Sequence, residues 1–256
     1  IYCKDAACDS GMLSCVAMLV ERAVDLLSAG NKSLLKICLG DYPNPQDYLA
    51  YHCINVCMVA VEVGLGFGYE RTRLVEIGIA GFLHDIGEVK YLDSINKNGI
   101  LASEEFARVK GHPMAGIDIL NPFVKELSHT VFDVVRQEHE RLDGSGYPHG
   151  LKNHQISEYA RIIGLIDVYE AMMHQRPYRG KFTSLDTIKT ILSNKNCFDA
   201  QAIKILIEHI GIFPVGTLVK LNTKEMGIVV RENADLPLRP TVNILFDSFG
   251  KELKET

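Results

Sequence analysis

The chain has 256 residues, 47% apolar and 23% charged, enough at ~150 residues per domain for one main domain with an appendage. This composition excludes a disordered or collagen-like chain, and no uninterrupted apolar run approaches the ~20 residues of a membrane span. Lys and Arg number 27 against 32 Asp and Glu, a net charge of −5, so the basic excess of a nucleic-acid or anionic-membrane binder is missing and any phosphate ligand must be held locally.

Leu13, Val16, Ala17, Val20, Val24 and Leu27 recur at three- and four-residue steps and predict an amphipathic helix over Ser10–Leu27, stopped by Gly30. After the loop around Tyr42-Pro43-Asn44-Pro45, helices are predicted over Gln46–Val63 and Glu70–His84. Further helical patterns cover Ser103–Val109, Pro113–Leu120, Val124–Glu138, Ser157–His174, Leu185–Leu192 and Ala200–Ile210. The character changes after Pro214. Val215–Leu221, Gly227–Val230 and Thr241–Phe246 are short β-branched runs between polar or proline-rich turns. The fold class is therefore mainly α, a helical bundle with a small C-terminal antiparallel β appendage. Residues 1–45 form an N-terminal helical segment, 46–212 the main helical domain and 213–256 the appendage.

Seven cysteines, odd in number and without a C-x-x-C pair, suit reduced thiols and a cytoplasmic location. The chain begins at Ile1 rather than Met, which is read as a segment of a longer protein with a sensor domain upstream.

Chemistry concentrates in the histidines. His84-Asp85 ends an apolar helical run and precedes Ile86-Gly87, where a glycine permits close approach. A neutral imidazole beside a carboxylate that can bridge two cations is metal-site chemistry. The segment Glu138–Pro148 packs further potential ligands before a turn with two glycines and a proline.

Together with Gly111-His112-Pro113 these motifs resemble the HD-GYP family, metal-dependent phosphodiesterases of the HD superfamily. The likeness runs in order from Gln46 through His52, His84-Asp85-Ile86-Gly87, His112-Pro113, the H-E-R-x-D-G-x-G-Y-P run of His139–Pro148 and Ala160–Asp167 to Arg176-Pro177-Tyr178-Arg179. The resemblance implies an HD-type bundle. It implies one metal shell of His52, His84, Asp85 and Asp167, and a second of Asp85, His112, Glu138 and His139, with Asp85 bridging. Two divalent cations about 3.5–4 Å apart would activate a shared water to hydroxide and clamp a phosphodiester. The family reaction is hydrolysis of cyclic di-GMP, to linear pGpG or GMP. Tyr147, Arg176 and Arg179 resemble the residues that receive the substrate, although the arginines would also suit helix-end charges. His129, His149, His154, His174 and His209 match no ligand position and are read as surface or packing residues. Cys53 and Cys57, one helical turn apart beside His52, are read as buried free thiols.

Two positions depart from the family. Glu138 stands where the family has histidine, and Glu88 where it has lysine; on a continued helix Glu88 would share a face with His84. With Asp85, Asp167, Glu88 and Glu138 ionised, the site carries −4, against −1 for the family residues. Such a site favours hard cations, iron or manganese first, and resists an anionic substrate unless both metals are bound. Asp85 and Glu88 are thus the expected catalytic determinants. Three readings follow: a cyclic di-GMP phosphodiesterase; a signalling module that binds metal, cyclic dinucleotide or a partner protein with little or no turnover; or a phosphodiesterase for another cyclic dinucleotide. No nucleic-acid polymer and no membrane is expected as a partner.

Overall fold

A computed structural model describes residues 9–40, 42, 44, 47–97, 99, 102–175, 180–233 and 236–253. The helices are α1 (Ser10–Ser28), α2 (Ser33–Cys38), α3 (Tyr48–Gly66), α4 (Arg71–Leu83), α5 (Leu92–Ile95), α6 (Ser103–Val109), α7 (His112–Leu120), α8 (His129–Gln137), α9 (Glu158–Met173), α10 (Ser184–Ser193) and α11 (Ala200–Ile210). A 3-10 turn over Ile86–Tyr91 links α4 to α5. Three strands follow, β1 (Leu218–Lys220), β2 (Met226–Arg231) and β3 (Thr241–Phe246).

The bundle is organised around α3. This helix is mostly apolar and largely buried, with Val56, Val59, Ala60 and Val61 fully buried, and it packs against α1, α2, α4, α9 and α11. By length and composition α3 could cross a membrane, which a search for uninterrupted apolar runs passes over; its apolarity is accounted for by burial in the bundle. Ile77 and Leu83 of α4 and Ile163, Leu165 and Ile166 of α9 join the same core. Within this core α3 itself buries His52, Asn55 and Glu62, and α9 buries Asp167 and Glu170.

Asp9 caps α1 by accepting from the Met12 amide, and Asp199 caps α11 through the amides of Gln201 and Ala202. The predicted helix over Val124–Glu138 is shorter than its apolar periodicity suggests. Residues 124–127 form turns in which the Glu126 and Leu127 amides bond to the Phe123 carbonyl, Ser128 is extended (φ −68°, ψ 154°), and the helix starts only at His129. Periodicity continues through such a turn, whereas the helical backbone does not. Helix α4 ends at Leu83 with His84 as its cap, within a residue of the predicted end, and the 3-10 turn that follows means the condition for Glu88 to share the His84 face, a continued helix, is not met. Helix α2 and the short α5 were not anticipated.

The sheet is antiparallel in the order β1-β2-β3, pairing Leu218 with Ile228 and Gly227 with Ile244, with irregular register at both ends of β2. Lys32 ties it to the bundle: its Nζ lies 3.0 Å from Glu62 Oε1 of α3 and 3.7 Å from Glu232 Oε2 just beyond β2.

Candidate metal centre

Three polar residues enter the core where helices end. His84 follows α4, His112 opens α7, and Glu138 follows α8. At such ends, backbone carbonyls lack intrahelical partners and can fix an imidazole. His84 Nδ1 lies 2.8 Å from the Gly81 carbonyl and His112 Nδ1 2.8 Å from that of Val109. A carbonyl only accepts, so each neutral ring carries its proton on Nδ1 and presents an unprotonated Nε2 to the centre. His52 enters from near the N-terminal end of α3 and Asp167 from the middle of α9.

Two close approaches bring these ends together, and both require glycine. A Cβ on Gly87 would lie 1.9 Å from the His112 carbonyl oxygen, and one on Gly164 would lie 2.1 Å from that of Glu138. The backbone after Asp85 therefore touches the start of α7, and α9 touches the end of α8.

The result is two groups that share one residue. Potential ligand atoms of His52, His84, Asp85 and Asp167 all lie within 4.8 Å of one another, as do those of Asp85, His112, Glu138 and His139. Asp85 turns one oxygen to each group. Its Oδ2 lies 3.5 Å from His52 Nε2 and 3.3 Å from His84 Nε2, while Oδ1 lies 3.2 Å from His112 Nε2 and 3.8 Å from His139 Nε2. His52 Nε2 is 3.2 Å from Asp167 Oδ1, and His139 Nδ1 is 2.9 Å from Glu138 Oε2.

The donor set fits cations. Nine buried side-chain nitrogen or oxygen atoms lack a hydrogen-bond partner among the described residues, and five are here: Nε2 of His52 and His84, Oδ1 of Asp85 and both carboxylate oxygens of Glu138. Leaving such atoms buried and unsatisfied costs about 1–3 kcal/mol each, so their convergence asks for a positive partner. Burial disfavours every charge in this cluster, yet mutual attraction overrides it. Surrounding carboxylates raise His52, His84 and His112 well above the ordinary imidazole range. The imidazoles in turn hold Asp85 well below the carboxyl range and Asp167 at about 2.

Glu170, which the sequence reading passed over, anchors the first group from outside. One turn beyond Asp167 on α9, it is fully buried and bonded to His52 Nδ1. It also accepts from Asn55 Nδ2 and the Tyr42 hydroxyl, each at 2.7 Å, and faces His174 Nδ1 at 3.0 Å. A carboxylate in the apolar run of α9, three residues from Asp167, is the signal that could have found it. His174 is a buried packing residue of this network, with Nε2 2.8 Å from the Gly40 carbonyl. Glu140, also passed over, is buried and accepts from the His149 and Leu151 amides, which closes the loop that carries Tyr147.

The Tyr147 ring stacks on His139 at 4.6 Å. Lys110 Nζ lies 5.1 Å from the Tyr147 ring centroid and 4.9 Å from that of Phe106. These side chains, with Arg141 and Phe198, border a cavity of about 360 Å³. Glu88 belongs to neither ligand group; it is half-buried, accepts from the Tyr48 hydroxyl at 3.0 Å, and its charge reaches His112 and Tyr147. Arg176 and Arg179 lie outside the described residues. Cys53 and Cys57 are free and buried.

Comparison with known proteins agrees with this geometry. Residues 55–202 match the HD domain family, and residues 218–256 match a KOW domain associated with HD domain. The chain is 34% identical over 206 residues to a cyclic di-GMP phosphodiesterase of Pseudomonas aeruginosa, covering 80% of this chain and 50% of that protein. It is 28% identical to a cyclic di-GMP phosphodiesterase of Borreliella burgdorferi, covering 78% and 52%, and 29% identical to a 3'3'-cGAMP-specific phosphodiesterase of Vibrio cholerae, covering 62% and 31%. The chain thus spans about half the length of the first two of these relatives. In fold it is similar to an HDG"Y"P protein from Bdellovibrio bacteriovorus, with a TM-score of 0.66 at 16% identity over 77% of this chain and 63% of that one. With more than half its length matched and its motifs in family order, the chain belongs to the HD-domain family, in the HD-GYP group.

Proposed function

We propose that the chain is a dinuclear-metal phosphodiesterase that hydrolyses a cyclic dinucleotide, cyclic di-GMP foremost. One observation carries this reading: seven buried or nearly buried histidines and carboxylates form two ligand groups joined by a single aspartate, with five of their atoms unsatisfied. Four imidazoles, three carboxylates and no thiolate suit iron or manganese. Asp85, Asp167 and Glu138 carry −3, so two divalent cations leave the centre at +1, attractive to a phosphodiester. Bound there, the cations would supply water activation and neutralise phosphate charge.

The chain's own residues do the rest. Asp85 holds both sites in one register through its two oxygens. Burial and the carboxylates Glu138, Asp85, Asp167 and Glu88 push the Tyr147 hydroxyl far up, so it stays protonated and serves as a hydrogen-bond donor to a phosphate oxygen, not as a base. Lys110 and Arg141 bring positive charge to the cavity beside it, and Arg176 and Arg179 are assigned to phosphate and guanine by family likeness. Likeness to a 3'3'-cGAMP-specific enzyme keeps a mixed cyclic dinucleotide as the second substrate.

The test is to purify the chain anaerobically, count metals, and follow linear product from cyclic di-GMP and 3'3'-cGAMP. Two metals per chain with turnover supports the reading. Full metal occupancy with tight binding and no product overturns it in favour of a signalling module, for which the two acidic substitutions at Glu88 and Glu138 would be the cause.

A further inference from the structure

Between the bundle and the sheet lies a larger cleft, of about 1100 Å³, which contains none of the metal-centre residues. Four cations line it: Lys36 of α2, Lys181 just before α10, Lys220 of β1 and Arg239 just before β3. Among the described residues, no Asp, Glu or His lines it. In a chain of net charge −5, that is a local reversal of sign. Among the described residues, Lys36, Lys220 and Arg239 form no ion pair. Three unpaired cations facing one cavity repel one another, and an anion relieves that repulsion.

The rest of the lining is mostly apolar and includes Phe182, 40% exposed, two residues before α10. The first residues of α10 also border the cleft, and the positive end of a ten-residue helix adds to the same field. An apolar wall with an aromatic ring takes the face of a base, and lysine and arginine take phosphate oxygens. The volume suits a ligand of one or two nucleotides. A long polyanion is disfavoured by the negative charge of the chain as a whole.

We propose that this cleft is a second binding site, for a small phosphate-bearing nucleotide, distinct from the metal centre. Its cations come from both the bundle and the sheet, so a bound nucleotide would fasten the two together.

The experiment titrates the full chain with fluorescent mant-GTP in EDTA, which keeps metals out of the first site. Saturable binding is expected. Lys36→Glu/Lys220→Glu/Arg239→Glu should weaken it at least tenfold, and Lys36→Arg/Lys220→Arg should retain it. Metal-loaded hydrolysis and the thermal midpoint, read on the same variants, should change little, which separates a lost site from a lost fold. Should the charge-reversed chain fail to fold, single reversals at Lys36 and Lys220 carry the comparison. Absence of mant-GTP binding by the wild-type chain, or binding unmoved by the reversals, overturns the proposal. So does binding of single-stranded RNA that strengthens with length while mant-GTP is ignored. Because no hydrolysis enters the binding readout, this result stands or falls independently of the phosphodiesterase reading.

Discussion

Helix α3 carries a polar cluster near each end, and the two are satisfied in opposite ways. At its C-terminal end the buried Glu62 faces Lys32 Nζ at 3.0 Å and His209 Nδ1 at 3.1 Å, and Lys32 also donates to the His209 carbonyl. This cluster is closed by the chain itself. At the N-terminal end, His52 joins Asp85, Asp167 and Glu138 with three other imidazoles, no Lys or Arg lies within ion-pair distance of those carboxylates among the described residues, and five atoms remain without hydrogen bonds. A buried carboxylate needs positive charge. One cluster takes it from a side chain, and the other is left to take it from outside, which distinguishes a structural clamp from a ligand site.

The comparison can be broken most sharply at Asp85. Asp85→Asn removes charge shared by both groups, so metal content should fall by at least one ion per chain and hydrolysis by more than the ~100-fold that loss of an outer partner costs; unchanged metal content would sink the bridging assignment. Glu170→Gln tests the support of His52 and should weaken metal affinity about 10- to 100-fold, measured by competition with a chelator, while leaving the second group occupied.

The closed cluster should behave otherwise. Glu62→Gln should cost about 1–3 kcal/mol of stability, read from chemical denaturation, and leave metal content unaltered. Burial raises the Glu62 carboxyl, but His209 and Lys32 outweigh it and hold the group below its ordinary range. Its contribution is therefore present above the unfolded carboxyl pKa of ~4.3 and fades as pH falls through the lower folded value. Wild type and Glu62→Gln should converge in stability in acid. A constant gap between them down to pH 2 would refute the clamp.

The smallest change is Glu88→Lys, which brings to the open cluster the kind of cation that closes the other. Glu88 lies outside both ligand groups, so metal stoichiometry should hold, while the Kd for cyclic di-GMP should drop about three- to tenfold, the Coulomb gain being cut by partial exposure. Loss of metal with the substitution would instead make Glu88 a ligand.

Much of this was legible in the residues. The apolar steps of α1, the helical pattern of α11, and the β-branched runs of the sheet carry their structure locally, because period and turn chemistry are properties of neighbours in the chain. The seven residues that the structure gathers into two potential ligand groups could be named as candidates because family motifs keep their order. What the sequence could not decide was anything set by residues distant in the chain. Glu170 meets His52 across 118 positions, and Lys32 finds Glu62, His209 and Glu232 only when α3, α11 and the sheet are packed. Lys110 carries no motif, and only the fold sets it over Tyr147. The contact that Gly87 makes with the His112 carbonyl was likewise a tertiary decision, since that approach leaves no room for a side chain. Sequence alone determined which residue types could bind metal and the order in which they occur. Packing decided which atoms are left buried without a partner, because desolvation and pairing depend on neighbours in space rather than in the chain.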